Sequence, residues 1–236
     1  MVEATSNFDG ISTLAVDLVG TLIRKPTPHF YRAASEFLSH PDAQVSVDLF
    51  RRIFRRRYWE HSMGNYETDH EFYSALLADL SRTYDPSLEV LTDLYVQASP
   101  AFSDALQFLE SMSQRYRLVL ASNYVEQWVV HILESNGWRS YFSGCLVSST
   151  CRFRKPSRQF FRELLKIADA FPSEVLMIGD SLVNDVIGAR ASGLRSVLLD
   201  RDETTPEHTD KDSLRFSSLN ELAQSLAPER TVSLRS

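Results

Sequence analysis

After Pro100 the sequence alternates between short apolar runs, rich in β-branched residues, and stretches of helical periodicity, the pattern of a parallel sheet wrapped by crossover helices. Strands are expected at 117–121, 144–147, 174–178 and 196–199. Helices are expected at 105–112, 125–135 (closed by Gly137), 157–170, 185–192 (closed by Gly193) and 219–226. Ahead of them, 11–16 reads as one more buried strand that stops at Asp17, with Gly20 and Thr21 breaking it as a turn does. Residues 27–99 carry no strand-like alternation. Phe30, Ala33, Ala34, Phe37 and Leu38 fall at helical spacing, as do Phe50, Phe54 and Tyr58, and Phe72, Leu76 and Leu80. Pro41 and Pro86 divide these helices. The expected fold is α/β: a doubly wound parallel sheet from 1–26 and 100–236, with an inserted all-helical unit at 27–99 and a frayed stretch over the last ten residues.

In open parallel sheets the ligand site lies beyond the carboxyl ends of the strands. The three strongest strands end at Asp17, Ser122 and Asp180, so a hydroxyl and two acids share one rim. Each also has a plain structural reading. Thr21 and Ser122 could cap turns or helices, Asp180 and Asp185 could face a helix dipole, and Lys155 could lie on the surface. Their joint placement with Asp17 favours a site.

The bulk numbers narrow the partners. A formal charge of −6 over 236 residues gives no general pull toward nucleic acid or an anionic membrane. No apolar run approaches the roughly 20 residues that span a bilayer, and the polar first ten residues do not read as a signal peptide. Cys145 and Cys151 supply neither a disulfide framework nor a CxxC site. A cytoplasmic, soluble protein with no nucleic-acid or membrane partner is the expectation.

Four segments occur in order: Asp17-Leu-Val-Gly-Thr21, Leu120-Ala-Ser122-Asn123, Arg154-Lys155-Pro156 and Ile178-Gly-Asp180-Ser-Leu-Val-Asn-Asp185. Together they resemble the motifs of the haloacid dehalogenase-like (HAD) hydrolase superfamily. The resemblance runs from about residue 11 to 200, and implies a Rossmann-like core with a C1 cap at 27–99. It further implies that Asp17 is a nucleophile forming a covalent intermediate, and that Thr21 and Ser122, beside Asn123, serve phosphoryl oxygens. Lys155 would balance the clustered negative charge. Mg²⁺ would be bound by Asp17, Asp180 and the backbone carbonyl of Val19, with Asp185 orienting Lys155 or a metal-bound water.

The pattern departs from the family's phosphatases at Val19, where they carry a second aspartate that protonates the leaving group and activates water. Valine transfers no proton, and general acid–base catalysis contributes about 10²–10⁴-fold. Dehalogenases of the family tolerate a non-acidic residue there and use no metal, but they have small polar residues where this chain has Asp180. Phosphonoacetaldehyde hydrolases rely on a cap lysine, and 27–99 contains none. P-type ATPases carry membrane segments absent here. Three readings stay open: a slow or specialised phosphohydrolase, a 2-haloacid dehalogenase-type displacement at carbon, or a non-catalytic metal- or ligand-binding regulatory protein. His61, Glu67, Asp69, His70 and Glu71, in a polar stretch read as lying between cap helices, are candidate replacement acids or bases. Arg51, Arg52, Arg55, Arg56 and Arg57 are expected mainly on a solvated helix face, with anion recognition as the alternative. Arg24 and Lys25 follow the first motif closely enough to reach the site mouth.

Overall fold

Strand β1 (Thr13–Val16) is buried along its whole length because both of its faces are covered, as a central strand of a parallel sheet requires. The computed structural model describes residues 8–39, 44–82, 90–201 and 214–227. Pro41, Pro86 and residues 228–236, on which breaks and fraying were expected, lie outside them. After β1 the chain leaves the sheet for α1 (Pro28–Phe37), α2 (Val47–Ser62), α3 (Asp69–Asp79) and α4 (Val90–Gln97). It returns through α5 (Ala105–Ser113), β2 (Arg117–Ser122), α6 (Glu126–Ser135), β3 (Gly144–Val147), the short α7 (Ser148–Cys151), α8 (Arg158–Ala168) and β4 (Val175–Gly179). A wide π-type turn at Leu182–Ile187 runs into α9 (Gly188–Arg190), followed by β5 (Arg195–Leu199), β6 (Leu214–Phe216) and α10 (Leu219–Leu226).

The six strands are parallel in the order β3-β2-β1-β4-β5-β6. The chain winds outward from β1 to β2 and β3, then crosses to β4 on the other side of β1. The topological switch therefore falls between β1 and β4, where such sheets open a crevice. Alternate residues face two separate cores. Leu14, Val16, Leu120 and Ile178 join the larger one with α5, α6 and the inserted helices, whereas Ala15, Val119 and Met177 join the smaller one under α8.

The inserted helices close around aromatic side chains. Phe30 of α1 packs within 5.9 Å of Phe50 and 4.9 Å of Phe54 on α2, and Phe54 within 5.9 Å of Phe72 on α3. Ser46 and Thr68 cap α2 and α3 by accepting hydrogen bonds from Leu49 N and Glu71 N. Among the described residues no helix is long and apolar enough to cross a membrane.

Two local readings need correction. The helix expected at 185–192 begins at Leu182, because the Ser181 side chain accepts from Asn184 N and closes the turn three residues earlier. Asp185 lies inside that turn, and its carboxylate accepts from Ser181 N at 3.0 Å. Strand β6 was not expected: three residues at a sheet edge, with only Phe216 fully buried, leave little apolar pattern to read.

Candidate active site

Sheet register sets the heights of the side chains at the crevice. Val16 pairs with Leu120 on one side and Ile178 on the other, and Asp17 N still donates to Ile178 O at 2.9 Å. Asp17 is therefore the first residue whose side chain clears the sheet, held by the last backbone bond of β1. Two glycines make room for the acids around it. A Cβ on Gly179 would stand 2.2 Å from the Asp185 carboxyl, and one on Gly20 would stand 2.2 Å from Asp180 Oδ2. Gly20 also has φ +91°, a conformation side chains strain to adopt.

The three carboxylates meet. Oxygens of Asp17, Asp180 and Asp185 lie within 4.8 Å of one another. Lys155, only 4% exposed, places Nζ 2.7 Å from Asp17 Oδ1, 2.6 Å from Asp185 Oδ1 and 2.8 Å from Ala121 O. From the surface, Lys25 Nζ reaches Asp180 Oδ2 at 2.7 Å. One buried ammonium thus faces two buried acids, with a third at the rim.

The charge balance moves the proton affinities. Burial raises the Asp17 carboxyl to about 7; Lys155 opposes this, and Asp185 and Asp180 reinforce it. Burial likewise raises Asp185 against the pull of Lys155. Burial works against the charged form of Lys155, but Asp17 and Asp185 outweigh it, so Lys155 is raised and stays protonated. The set lacks positive charge. Hard oxygen donors with excess negative charge, opening on the sheet crevice, are suited to a divalent cation such as Mg²⁺.

The remaining expected residues fall into two groups. Thr21 is fully buried, its Oγ1 3.5 Å from Asp17 Oδ2. Ser122 ends β2, buried, and its hydroxyl makes no hydrogen bond among the described residues. Neither caps a helix. Val19 lies in the turn after β1, half-buried against the larger core. Asn123 turns to the backbone of Lys155: Nδ2 donates to Lys155 O at 3.0 Å, and Oδ1 accepts from Lys155 N at 2.9 Å. It fixes the lysine's main chain.

The candidate acids and bases of the insertion sit differently from expectation. His61 is inside α2, and Asp69, His70 and Glu71 begin α3; only Glu67 lies between those helices. The apolar partners that bury His61 in the stripe of α2 extend the helix through a stretch that reads as polar in sequence. His61 Nε2 is 3.0 Å from Asp69 Oδ1, and Trp128 Nε1 of α6 donates to both Asp69 oxygens at 3.0 Å. These groups fasten the helical unit to the core. In the arginine stretch, Arg52, Arg55 and Arg56 are exposed, as expected. Arg57 is half-buried, forking onto Asp79 at 2.6 and 2.9 Å and donating to Glu60 and Tyr66. Arg24 lies over the Phe102 ring, 4.5 Å from its centroid.

Tyr95 and Tyr124 were not singled out in the sequence, whereas Tyr58 was read only as part of an apolar stripe and Arg154 only as the start of the third motif. The three tyrosine rings form a triangle with centroids 5.8, 5.9 and 6.2 Å apart. Tyr124 stands two residues beyond Ser122 and Arg154 one before Lys155, which was the available signal.

A sequence profile described as haloacid dehalogenase-like hydrolase matches residues 11–193. The chain is similar to the HAD-hydrolase YfnB of Bacillus subtilis, 26% identical over 81% of this chain and 83% of that one. The structure of YfnB bound to magnesium superposes with a TM-score of 0.68 over 92% of this chain and 99% of that one, at 20% identity. A phosphoglycolate phosphatase of Neisseria gonorrhoeae is 28% identical over 70% of this chain and 69% of its own length. A 2-haloacid dehalogenase of Pseudomonas syringae shares the fold with a TM-score of 0.71 at 18% identity, over 92% of this chain and 98% of that one.

Proposed function

The chain belongs to the haloacid dehalogenase-like hydrolases, and on that premise we propose that it is a Mg²⁺-assisted phosphohydrolase of small anionic substrates, working through Asp17 without the usual second acid. The observation that carries this reading is the carboxylate excess: Asp17, Asp180 and Asp185 converge on two ammoniums, Lys155 buried between Asp17 and Asp185 and Lys25 reaching Asp180 from the surface. A site displacing halide from a haloacid must admit the substrate's carboxylate, which an acid at Asp180 would repel. A divalent cation among the same carboxylates turns that excess into a binding site for phosphate.

In this reading Asp17 attacks the phosphoryl group, the bond from phosphorus to the leaving oxygen breaks and that oxygen takes its proton from water. A second water then cleaves the acyl phosphate to release inorganic phosphate and restore Asp17. Lys155 fixes the Asp17 carboxylate and offsets charge as the phosphoryl group arrives. Asp185 holds Lys155 from behind, and Asn123 holds its backbone. Thr21 and Ser122 donate hydroxyl protons to phosphoryl oxygens. Mg²⁺, held by Asp17, Asp180 and the Val19 carbonyl, would neutralise charge developing on those oxygens. The test is steady-state turnover of p-nitrophenyl phosphate: saturable release of nitrophenolate is expected with Mg²⁺ and none without it. Metal binding with no turnover across a panel of phosphate esters would make the chain a binding protein instead. Metal-free halide release from a 2-haloacid would place it with the displacements at carbon.

A pH prediction follows from Asp17. In the folded, metal-free protein this group keeps its proton to about 7, against 3.8 for an ordinary aspartate. The stability it contributes is complete below the ordinary value and is lost as pH rises through about 7. The melting temperature of metal-free protein is therefore expected to fall from about pH 4 to about 7 and to level off above it. Mg²⁺, which needs the ionised carboxylate, should restore it with an affinity that rises over the same window. Thermal melts across that range, with and without Mg²⁺, check both; a flat metal-free profile would contradict the assignment.

A further inference from the structure

Arg201, two residues beyond the end of β5, reaches back to the turn that carries Asp17 and Thr21. Its Nη2 donates to the Thr21 carbonyl at 2.9 Å, and among the described residues that carbonyl accepts from no other group. Thr21 is fully buried, so its carbonyl has no water to turn to. The guanidinium is itself clamped. Nη1 and Nη2 fork onto Asp104 at 3.1 and 2.9 Å, and the centre of the group lies 3.8 Å from the centroid of the Phe102 ring. Asp104, which precedes α5, also accepts from Leu219 N of α10 at 2.9 Å. Asp200 N donates to Phe216 O of β6 at 2.9 Å and holds the backbone next to Arg201. The cation is a fixed point anchored on three elements.

What it holds lies at the reacting centre. Backbone bonds close the turn on either side of Thr21, with Gly20 N donating to Ile23 O at 2.7 Å and Leu22 N to Leu18 O at 2.8 Å. The Thr21 carbonyl is held from outside the turn, by Arg201. Thr21 Oγ1 stands 3.5 Å from Asp17 Oδ2, the far limit of a hydrogen bond, so the carboxylate does little to orient the hydroxyl. A threonine side chain is stiff at χ1, and its hydroxyl goes where its backbone points it. Arg201 also shares the lining of one cavity, of about 390 Å³, with Gly20 and Asp180. The clamp therefore stands beside the acids as well as behind Thr21.

We infer that Arg201 is a positioning residue: by holding the Thr21 carbonyl it aims the Thr21 hydroxyl at the phosphoryl group that Asp17 receives. This rests on the phosphohydrolase reading and adds to it a residue from 180 positions away. Arg201 touches no reacting atom; its influence passes through a single peptide unit. It is felt in the transition state, where a donor displaced by about an ångström loses its bond to the charge that develops there. The expected signature is a fall in kcat with KM little changed.

A double-mutant cycle with Thr21→Val tests this. Arg201→Met alone would strand the buried Asp104 charge, so it is paired with Asp104→Asn, which keeps an oxygen for Leu219 N. With Mg²⁺ and p-nitrophenyl phosphate, the paired change is expected to lower kcat by about 10- to 10²-fold when Thr21 is present. Once Thr21 is valine, the same change should cost less than about twofold, since the group it acts through is gone. Arg201→Lys should keep most of the rate, because Nη2 alone spans Asp104 Oδ1 and Thr21 O, both at 2.9 Å, and an ammonium can do likewise. If the paired variant does not fold, Arg201→Gln, a shorter and neutral donor, takes its place in the cycle. An equal loss of kcat in both backgrounds would make Arg201 a clasp of the fold alone and overturn the inference, as would an undiminished kcat when Thr21 is present. The cycle is repeated on the affinity for orthovanadate, which mimics the transferring phosphoryl group and requires no turnover. A wild type that binds vanadate and hydrolyses no ester sinks the hydrolase reading, and the vanadate cycle then decides Arg201 by the same comparison. A wild type that does neither overturns both.

Discussion

Asp17→Asn is expected to lower Mg²⁺-dependent turnover of p-nitrophenyl phosphate by roughly 10³-fold or more, the scale on which loss of a nucleophile acts. The amide has the shape of the carboxylate but cannot form the acyl phosphate. The fold should tolerate it. Lys155 keeps its contact with Asp185 at 2.6 Å and with the Ala121 carbonyl at 2.8 Å, so no buried cation is stranded. The change also removes an acid whose ionisation burial already disfavours. The melting temperature of the metal-free variant above neutral pH should therefore match or exceed that of the wild type. Its fall with rising pH should largely disappear. Kinetics and melts on one preparation separate chemistry from stability. Retention of turnover in a folded variant would remove Asp17 from the reaction, whereas loss of both turnover and fold would show that its contact with Lys155 is structural.

Much of this site is legible along the chain because a central parallel strand leaves a plain trace. β1, β2 and β4 are buried on both faces, so each reads as an unbroken apolar run, and the residue that ends the run is the residue that clears the sheet. Asp17, Ser122 and Asp180 are visible for that reason. The glycines at 20 and 179 are read as turn or strand residues, but their closeness to Asp180 and Asp185 exists only once β1 and β4 are side by side. Side chains whose direction depends on how the inserted helices settle are not legible. Tyr58 belongs to the apolar stripe of α2 by spacing, and nothing local sets its ring against Tyr95 and Tyr124. His61 and Asp69 look like free polar groups until Trp128, 59 residues beyond Asp69, donates to that carboxylate. Asn123, expected beside the substrate, holds Lys155 through a backbone 32 residues away. Periodicity reports which face is buried; it does not report what the face meets.

Val19→Asp should raise phosphatase activity, and the size of the rise should depend on the leaving group. The position is two residues beyond Asp17, in the turn completed by Gly20, and its side chain is half-buried against the larger core. A carboxyl group there can give a proton to the departing oxygen and later take one from water, a contribution of about 10²–10⁴-fold in general. Nitrophenolate leaves readily without a proton, so its release gains little from an acid. An alkyl phosphate expels a strongly basic alkoxide and gains most. The wild-type protein is therefore expected to show a steep decline in kcat from aryl to alkyl phosphates, and the variant a shallow one, with gains of about 10²-fold or more confined to the alkyl esters. The added carboxylate also deepens the charge excess around Lys155. The metal-free variant should melt below the wild type, and Mg²⁺ should narrow that gap by supplying the missing positive charge. Rates on a series of esters graded by leaving-group basicity, alongside melts with and without Mg²⁺, decide the matter. An equal gain on all esters would point to activation of water rather than protonation of the leaving group. No gain on any of them, in a folded variant that binds Mg²⁺, would mean that the missing proton carrier is not what limits this site.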